Sequence, residues 1–294
     1  MAEVGHVDVR PPATSLFVLP RDLPLWAGLA LLAVPTLQSL GGQVWTKESG
    51  AHGPIVLAVG AWLLAREFPK ARPIAKPGAL WATAVGLLLS LSLYVFGRAF
   101  DFISLEVVGL YFAGVAILYS RIGYRGLVKL WFPVGYLAFL APPPGWFMDQ
   151  LTAPLKQFVS WAAMSMLSTA GVPVDREGVT IYVASYRLLV EDACAGMNSI
   201  VGLVAVSLLY IYLLRGSNLR YATLLAAATI PIAIVGNIIR IMTLILLTYF
   251  FGDAVAQGFL HETAGLFLFA VDLLLVFALD QALWRVLPKS WRPA

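Results

Sequence analysis

Eight stretches of this chain are apolar with few charges, and no water-soluble fold has room to bury that many of them. Inside hydrocarbon a backbone amide finds no water, so each segment must satisfy its own polar groups. A helix of roughly 20 apolar residues is the simplest unit that does so across a bilayer. The candidate spans are Leu23 to Gly41, Gly53 to Arg66, Ala79 to Gly97, Phe102 to Ser120, Val128 to Pro142, Ala193 to Leu214, Tyr221 to Phe251 and His261 to Leu287. Gly53 to Arg66 and Val128 to Pro142 are short, so their ends are the least sharply marked. Composition agrees: 60% of the residues are hydrophobic and 12% charged, with a mean hydropathy of +0.83, too few polar residues to cover a soluble surface. The expected fold class is an all-α, polytopic transmembrane helix bundle of about eight spans. To it are added an interfacial amphipathic helix and a small periplasmic β-hairpin.

An even number of spans puts both termini on one side, and the basic residues indicate which side. Of the 20 lysines and arginines, Lys47, Arg98, Lys156, Arg176 and Arg187 fall in the loops of one side, and Arg240 lies inside a span. All the others fall in the tails and in the loops of the opposite side, among them Arg66, Lys70, Arg72, Lys76, Arg121, Arg125 and Lys129. The positive-inside rule therefore assigns both termini to the cytoplasm. The net charge of +4 follows from this asymmetry, with no basic stripe that would suggest nucleic acid. Residues 1–22, with Pro11, Pro12 and Pro20, read as a cytoplasmic tail rather than a cleavable signal, because the following apolar stretch is long and lacks a small-residue cleavage site. Residues 23–294 read as one membrane domain.

The longest interval between spans runs from Pro142 to Asp192, on the outer side by the charge parity. Its first part, Met148 to Gly171, mixes apolar residues with Gln150, Thr152, Lys156, Gln157, Ser160 and Ser165, as an amphipathic helix lying in the interface does. A ninth span is the competing reading, and it would move Val172 to Asp192 to the cytoplasmic side. In the second part, Val179, Ile181 and Val183 alternate with Thr180, Tyr182 and Ala184, and a polar turn then leads to Leu188 to Val190, the pattern of a hairpin. That element leads directly into Glu191-Asp192-Ala193-Cys194.

Cys194 is the chain's single cysteine, so no internal disulfide can form and its thiol is either buried or used. At the start of a membrane helix the unsatisfied amides and the partial positive charge favour thiolate. The plainer alternative is a small inert hydrophobe. Arg240 lies in the run Asn237-Ile238-Ile239-Arg240, where a charge costs about 2.5 to 3.5 kcal/mol at the bilayer centre and must face a polar cavity or a partner. Asp272 and Glu106 are the acids that could pair with it structurally. His261 opens the last span at its outer end and can act as a general base near neutral pH, although a histidine there also serves as an ordinary interfacial residue. The run His261-Glu262-Thr263-Ala264-Gly265 lacks the second histidine of a zinc helix, and neither a metal nor a cofactor is expected. Cys194, Arg240 and His261 together suit thiolate attack on a peptide carbonyl, with the imidazole moving protons and the guanidinium steadying negative charge.

Gly171-Val172-Pro173-Val174-Asp175-Arg176-Glu177-Gly178, then Glu191-Asp192-Ala193-Cys194-Ala195-Gly196-Met197-Asn198-Ser199, then Pro231 to Arg240 with its Asn-x-x-Arg, and His261 with Gly265, form an ordered set. This set resembles the exosortase family and the similar archaeosortases, over roughly Pro142 to Leu279. The resemblance implies a membrane cysteine protease or transpeptidase of the bacterial inner membrane, multi-pass, with its active site facing the periplasm and its catalytic part at about 142–287. It implies Cys194 as nucleophile, His261 as base and acid, and Arg240 as the third catalytic residue. The implied partners are exported proteins whose C-terminal sorting signal combines a Pro-Glu-Pro-like motif, a transmembrane helix and a basic tail. A cell-surface acceptor nucleophile, such as a polysaccharide or lipid, and the membrane lipids complete the set. Many members carry Ser after the cysteine, where this chain has Ala195. The alternative reading is a non-catalytic membrane component of polysaccharide or lipid export, with Arg240 and His261 binding an anionic headgroup.

Overall fold

The computed structural model describes residues 23–47, 50–177, 180–183, 186–189, 200–215, 219–252 and 259–286, which form nine α-helices and one three-stranded sheet. Every apolar stretch named above becomes helical: α1 (Leu23–Gln43), α2 (Gly53–Ala71), α3 (Leu80–Ala99), α4 (Ile103–Lys129) and α5 (Trp131–Leu137), which a 3₁₀ turn extends to Leu140. After the amphipathic α6 (Gly145–Thr169) and the strands come α7 (Ile200–Arg215), α8 (Leu219–Phe251) and α9 (Phe259–Val286). Residues 193–199 of the sixth expected span and Leu287 of the last lie outside the described residues. By length and composition, four of the described helices can cross a bilayer: α1, α3, α4 and the part of α8 from Thr223 to Phe251. Trp131–Leu140 and Val201–Leu214 are apolar but shorter.

The second helix runs five residues past the expected Arg66 and α6 begins three before Met148, while the end of α4 differs for a definable reason. The helix expected to stop at Ser120 resumes after a break at Gly123, whose φ of 60° and ψ of −172° are open to glycine and strained for other residues. The break leaves the carbonyls of Ser120 and Ile122 without helical donors. The extended segment before α3 supplies them, Gly78 N donating to Ser120 and Lys76 N to Ile122, each at 3.3 Å. The helix then runs to Lys129, which pushes the start of the next one to Trp131.

Two carboxylates inside the bundle are held in hydrogen-bonded sets, which offset their desolvation. Glu106, 3% exposed, accepts from Thr36 Oγ1 at 2.7 Å and from Arg98 Nη1 at 3.2 Å, joining α1, α3 and α4. At the other end of the bundle Asp280, fully buried, accepts from Tyr221 at 2.5 Å and Tyr210 at 2.8 Å and so joins α7, α8 and α9.

Helices α7 and α8 form an antiparallel hairpin with three residues between them. Matching α7 against α8 from that turn brings Ile200, the first described residue of α7, level with about Ile234. The sheet is seated on the later residues of α8. Strands β1 (Val174–Glu177), β2 (Thr180–Val183) and β3 (Tyr186–Leu189) are antiparallel in the order β1-β2-β3, with Val174 opposite Val183 and Val183 opposite Tyr186. Ile181 and Val183 are buried against Val159, Ala163 and Leu167 of α6 and Ile241, Leu244 and Ile245 of α8, while Tyr182 between them is exposed. The hairpin expected from alternation is β2-β3. Strand β1 was not legible, because Val174-Asp175-Arg176-Glu177 carries one apolar residue among three charges. It forms as an edge strand, with Val174 packed on the same cluster as its partner Val183.

The first turn of α6 lines a cavity with the α1–α2 turn and Val201 of α7, and its last turns pack on Ile241, Leu244 and Ile245 of α8. Removing one hydroxyl of the Asp280 clamp leaves a buried carboxylate oxygen short of a donor, at a cost of about 1 to 3 kcal/mol. Tyr221→Phe is accordingly expected to lower the thermal unfolding midpoint of the purified protein, whereas Tyr119→Phe, at an exposed hydrogen bond, leaves it nearly unchanged.

Candidate functional site

The seam between α8 and α9 carries the polar residues that the apolar sequence makes conspicuous. On α8, Asn237 and Arg240 are three residues apart and so share a face. They are 5% and 3% exposed. Gly236 precedes them, and a Cβ there would collide with the carboxylate of Asp272 on α9. Only hydrogen at this position lets that carboxylate lie on the α8 backbone. Both side-chain polar atoms of Asn237, and Oδ1 of Asp272, are buried without a hydrogen-bond partner. Such atoms cost about 1 to 3 kcal/mol each.

Arg240 immediately precedes Ile241, which is buried in the cluster that α6 and α8 form with the sheet. The sequence puts this charge at membrane depth, and in the structure it lies within Thr223–Phe251, a stretch long and apolar enough to cross a membrane. Neither acid proposed as its structural partner takes that role among the described residues. Glu106 is held by Arg98 and Thr36, and Asp272 packs on Gly236.

His261 is the third residue of α9, whose backbone is described there while the side chain lies outside the described residues. Helices α8 and α9 run antiparallel, touching at Tyr221 and Asp280 and again at Gly236 and Asp272. His261 is eleven residues before Asp272, about 16 Å of helix, and Arg240 is four residues after Gly236, about 6 Å. Both therefore lie on the same side of the second contact, toward the α8–α9 connection. Cys194 lies outside the described residues, as do Glu191, Asp192, Ala195 and Gly196. Strand β3 ends at Leu189, five residues before the cysteine, and α7 begins at Ile200, six residues after it.

The tertiary structure adds a residue that residue order does not single out. His52, at the N-cap of α2, packs against Gly202 in the first turn of α7 and lines a cavity of about 170 Å³ with Trp45, Asp149 and Val201. Burial pushes its imidazole below the ordinary value, opposed in part by a hydrogen bond to the Phe139 backbone. Nothing in the run His52-Gly53-Pro54 announces this beyond a histidine at the start of a span. Among the described residues, no group of three His, Cys, Asp or Glu side chains could hold a metal ion.

Compared with known proteins, the chain matches the family model described as transmembrane exosortase over residues 44–278, from the turn after α1 to within α9. No curated protein and no solved structure matches it.

If Asn237 is kept for function, an apolar side chain of similar size is expected to suit the fold as well or better. Asn237→Leu should hold or raise the unfolding midpoint, while Gly236→Ala should lower it by displacing Asp272. A marked drop for Asn237→Leu would mean that the amide has a structural partner.

Proposed function

Because this chain belongs to the transmembrane exosortase family, we propose that it is a membrane cysteine transpeptidase in which Cys194 is the nucleophile, His261 the proton carrier and Arg240 the electrostatic partner. The observation that carries this reading is the burial of Arg240 one residue before Ile241, a member of the cluster on which the sheet packs, while the last strand of that sheet leads, five residues on, to the only cysteine of the chain. A buried guanidinium adjoining a polar seam is a poor contribution to stability and a good one to binding negative charge.

In the proposed reaction the thiolate of Cys194 attacks the scissile carbonyl of the sorting signal. A C–S bond forms, and the carbonyl electrons move onto oxygen, where Arg240 offsets the charge or orients a substrate carboxylate. The imidazolium of His261 gives its proton to the leaving amine as the C–N bond breaks. The thioacyl group then passes to an acceptor nucleophile, whose proton goes to His261 as the C–S bond breaks and the thiolate returns. Water in the acceptor's place gives hydrolysis.

The substrates under this reading are exported proteins whose C-terminal signal includes a transmembrane helix. The charge distribution supports an orientation with both termini in the cytoplasm and the site facing outward, so the basic tail of the substrate would stay inside while its motif meets the site. Exposed apolar side chains such as Leu88, Leu89 and Val95 on α3 give a second membrane helix no polar obstacle.

Cys194→Ala is expected to abolish processing of a co-expressed substrate while leaving membrane insertion intact. Arg240→Lys, which keeps the charge and loses the planar fork, is expected to slow it about a hundredfold. Mass spectrometry of the stalled enzyme should find substrate on Cys194, and the released product should carry an acceptor. Unchanged processing by Cys194→Ala would overturn the enzyme reading, and a free C-terminal acid as sole product would overturn transfer.

A further inference from the structure

At the end of the bundle opposite the sheet lies a cavity of about 460 Å³ that the proposed reaction does not use. It forms where the α2–α3 connection crosses the break in α4. Lys76 stands on one side and Arg125 on the other, with Ile74, Tyr124 and Val128 among the remaining walls and no acidic residue lining it. The cavity is built rather than incidental. The positive φ of Gly123 turns α4 aside, and two backbone hydrogen bonds, from Lys76 to Ile122 and from Gly78 to Ser120, lock the connection onto it. A Cβ at position 123 would meet the carbonyl of Lys76.

Two exposed cations flanking one opening favour a phosphate group. The rest of the wall decides where that phosphate comes from. Tyr124 is 74% exposed, Val128 49% and Ile74 44%, so an apolar rim borders the charged opening. A free phosphate ion gains nothing from such a rim, whereas a phospholipid lays its glycerol and upper acyl chains on it. The surrounding face repels competing cations, since Arg72 and Lys129 are also exposed there and the nearby Glu67 is occupied by Lys70 at 2.7 Å. Basic pockets among membrane helices hold anionic headgroups on these grounds.

We propose that this cavity is a binding site for an anionic phospholipid, whose phosphodiester sits between Lys76 and Arg125 and whose chains leave over Tyr124, Ile74 and Val128. The bound lipid would bridge the α2–α3 connection to the far part of α4 and so brace the helix across its own break.

The test uses the purified full-length protein in detergent, with dioleoylphosphatidylglycerol or dioleoylphosphatidylcholine added and retained lipid counted by native mass spectrometry. The phosphatidylglycerol is expected to stay as one tightly held molecule and to raise the unfolding midpoint, and the phosphatidylcholine to do neither. Lys76→Gln with Arg125→Gln should weaken retention about thirtyfold, from the loss of two phosphate-facing charges. Arg72→Gln with Lys129→Gln, which removes two charges of the same face outside the cavity, should leave retention within a few-fold. Equal loss in the two double variants would reduce the effect to general surface charge and overturn the site. Equal retention of phosphatidylcholine, or full displacement of phosphatidylglycerol by excess inorganic phosphate, would overturn the lipid assignment.

Discussion

The packing of Ile181 and Val183 between α6 and α8 holds the functional end of this molecule together. Burying two such side chains is worth about 1.5 to 3 kcal/mol each, enough to seat a small sheet that could not persist alone. From that contact the other placements follow. The sheet sits on the later residues of α8, and the last turns of α6 pack against the same cluster. Arg240, one residue before Ile241 of that cluster, is 3% exposed.

Charge is distributed along the bundle according to how well it can be satisfied. Glu106 and Asp280, at opposite ends, are enclosed by hydroxyls and, for Glu106, by Arg98, so each helps to register the helices it touches. The α8–α9 seam is different in kind. Asn237 and Asp272 keep buried polar atoms without partners beside Arg240, and that cost falls in the region the family resemblance marks as catalytic. Among the described residues, the Glu106 and Asp280 sets are closed by hydrogen bonds, whereas the α8–α9 seam leaves such atoms open, as do Tyr136 and Ser160 elsewhere.

Much of this was legible from residue order. The apolar stretches became helices because hydrophobic runs of that length have no other stable arrangement, and Met148 to Gly171 became α6 because its polar residues recur at helical spacing. Ile181 and Val183 announced their shared face by alternation. The misses have equally local causes. Strand β1 is mostly charged and forms because β2 offers it an edge, a property of the partner and not of its own residues. The continuation of α4 to Lys129 depends on a glycine whose unusual backbone is stabilised by amides more than 40 residues away in sequence. The packing of His52 on Gly202 joins residues 150 apart in sequence, which residue order does not announce.

The sequence by itself determined that the chain belongs in a membrane, which stretches are helical and which family its motifs resemble, because hydropathy, charge asymmetry and ordered motifs are properties of neighbouring residues along the chain. Only the tertiary structure decided that the sheet sits on α6 and α8, that Glu106 serves Arg98 and Thr36, and that Asp272 rests on Gly236. Those outcomes depend on which side chains fill one cluster and on where one missing methyl group lets two helices touch, and such information appears only when distant segments pack against each other.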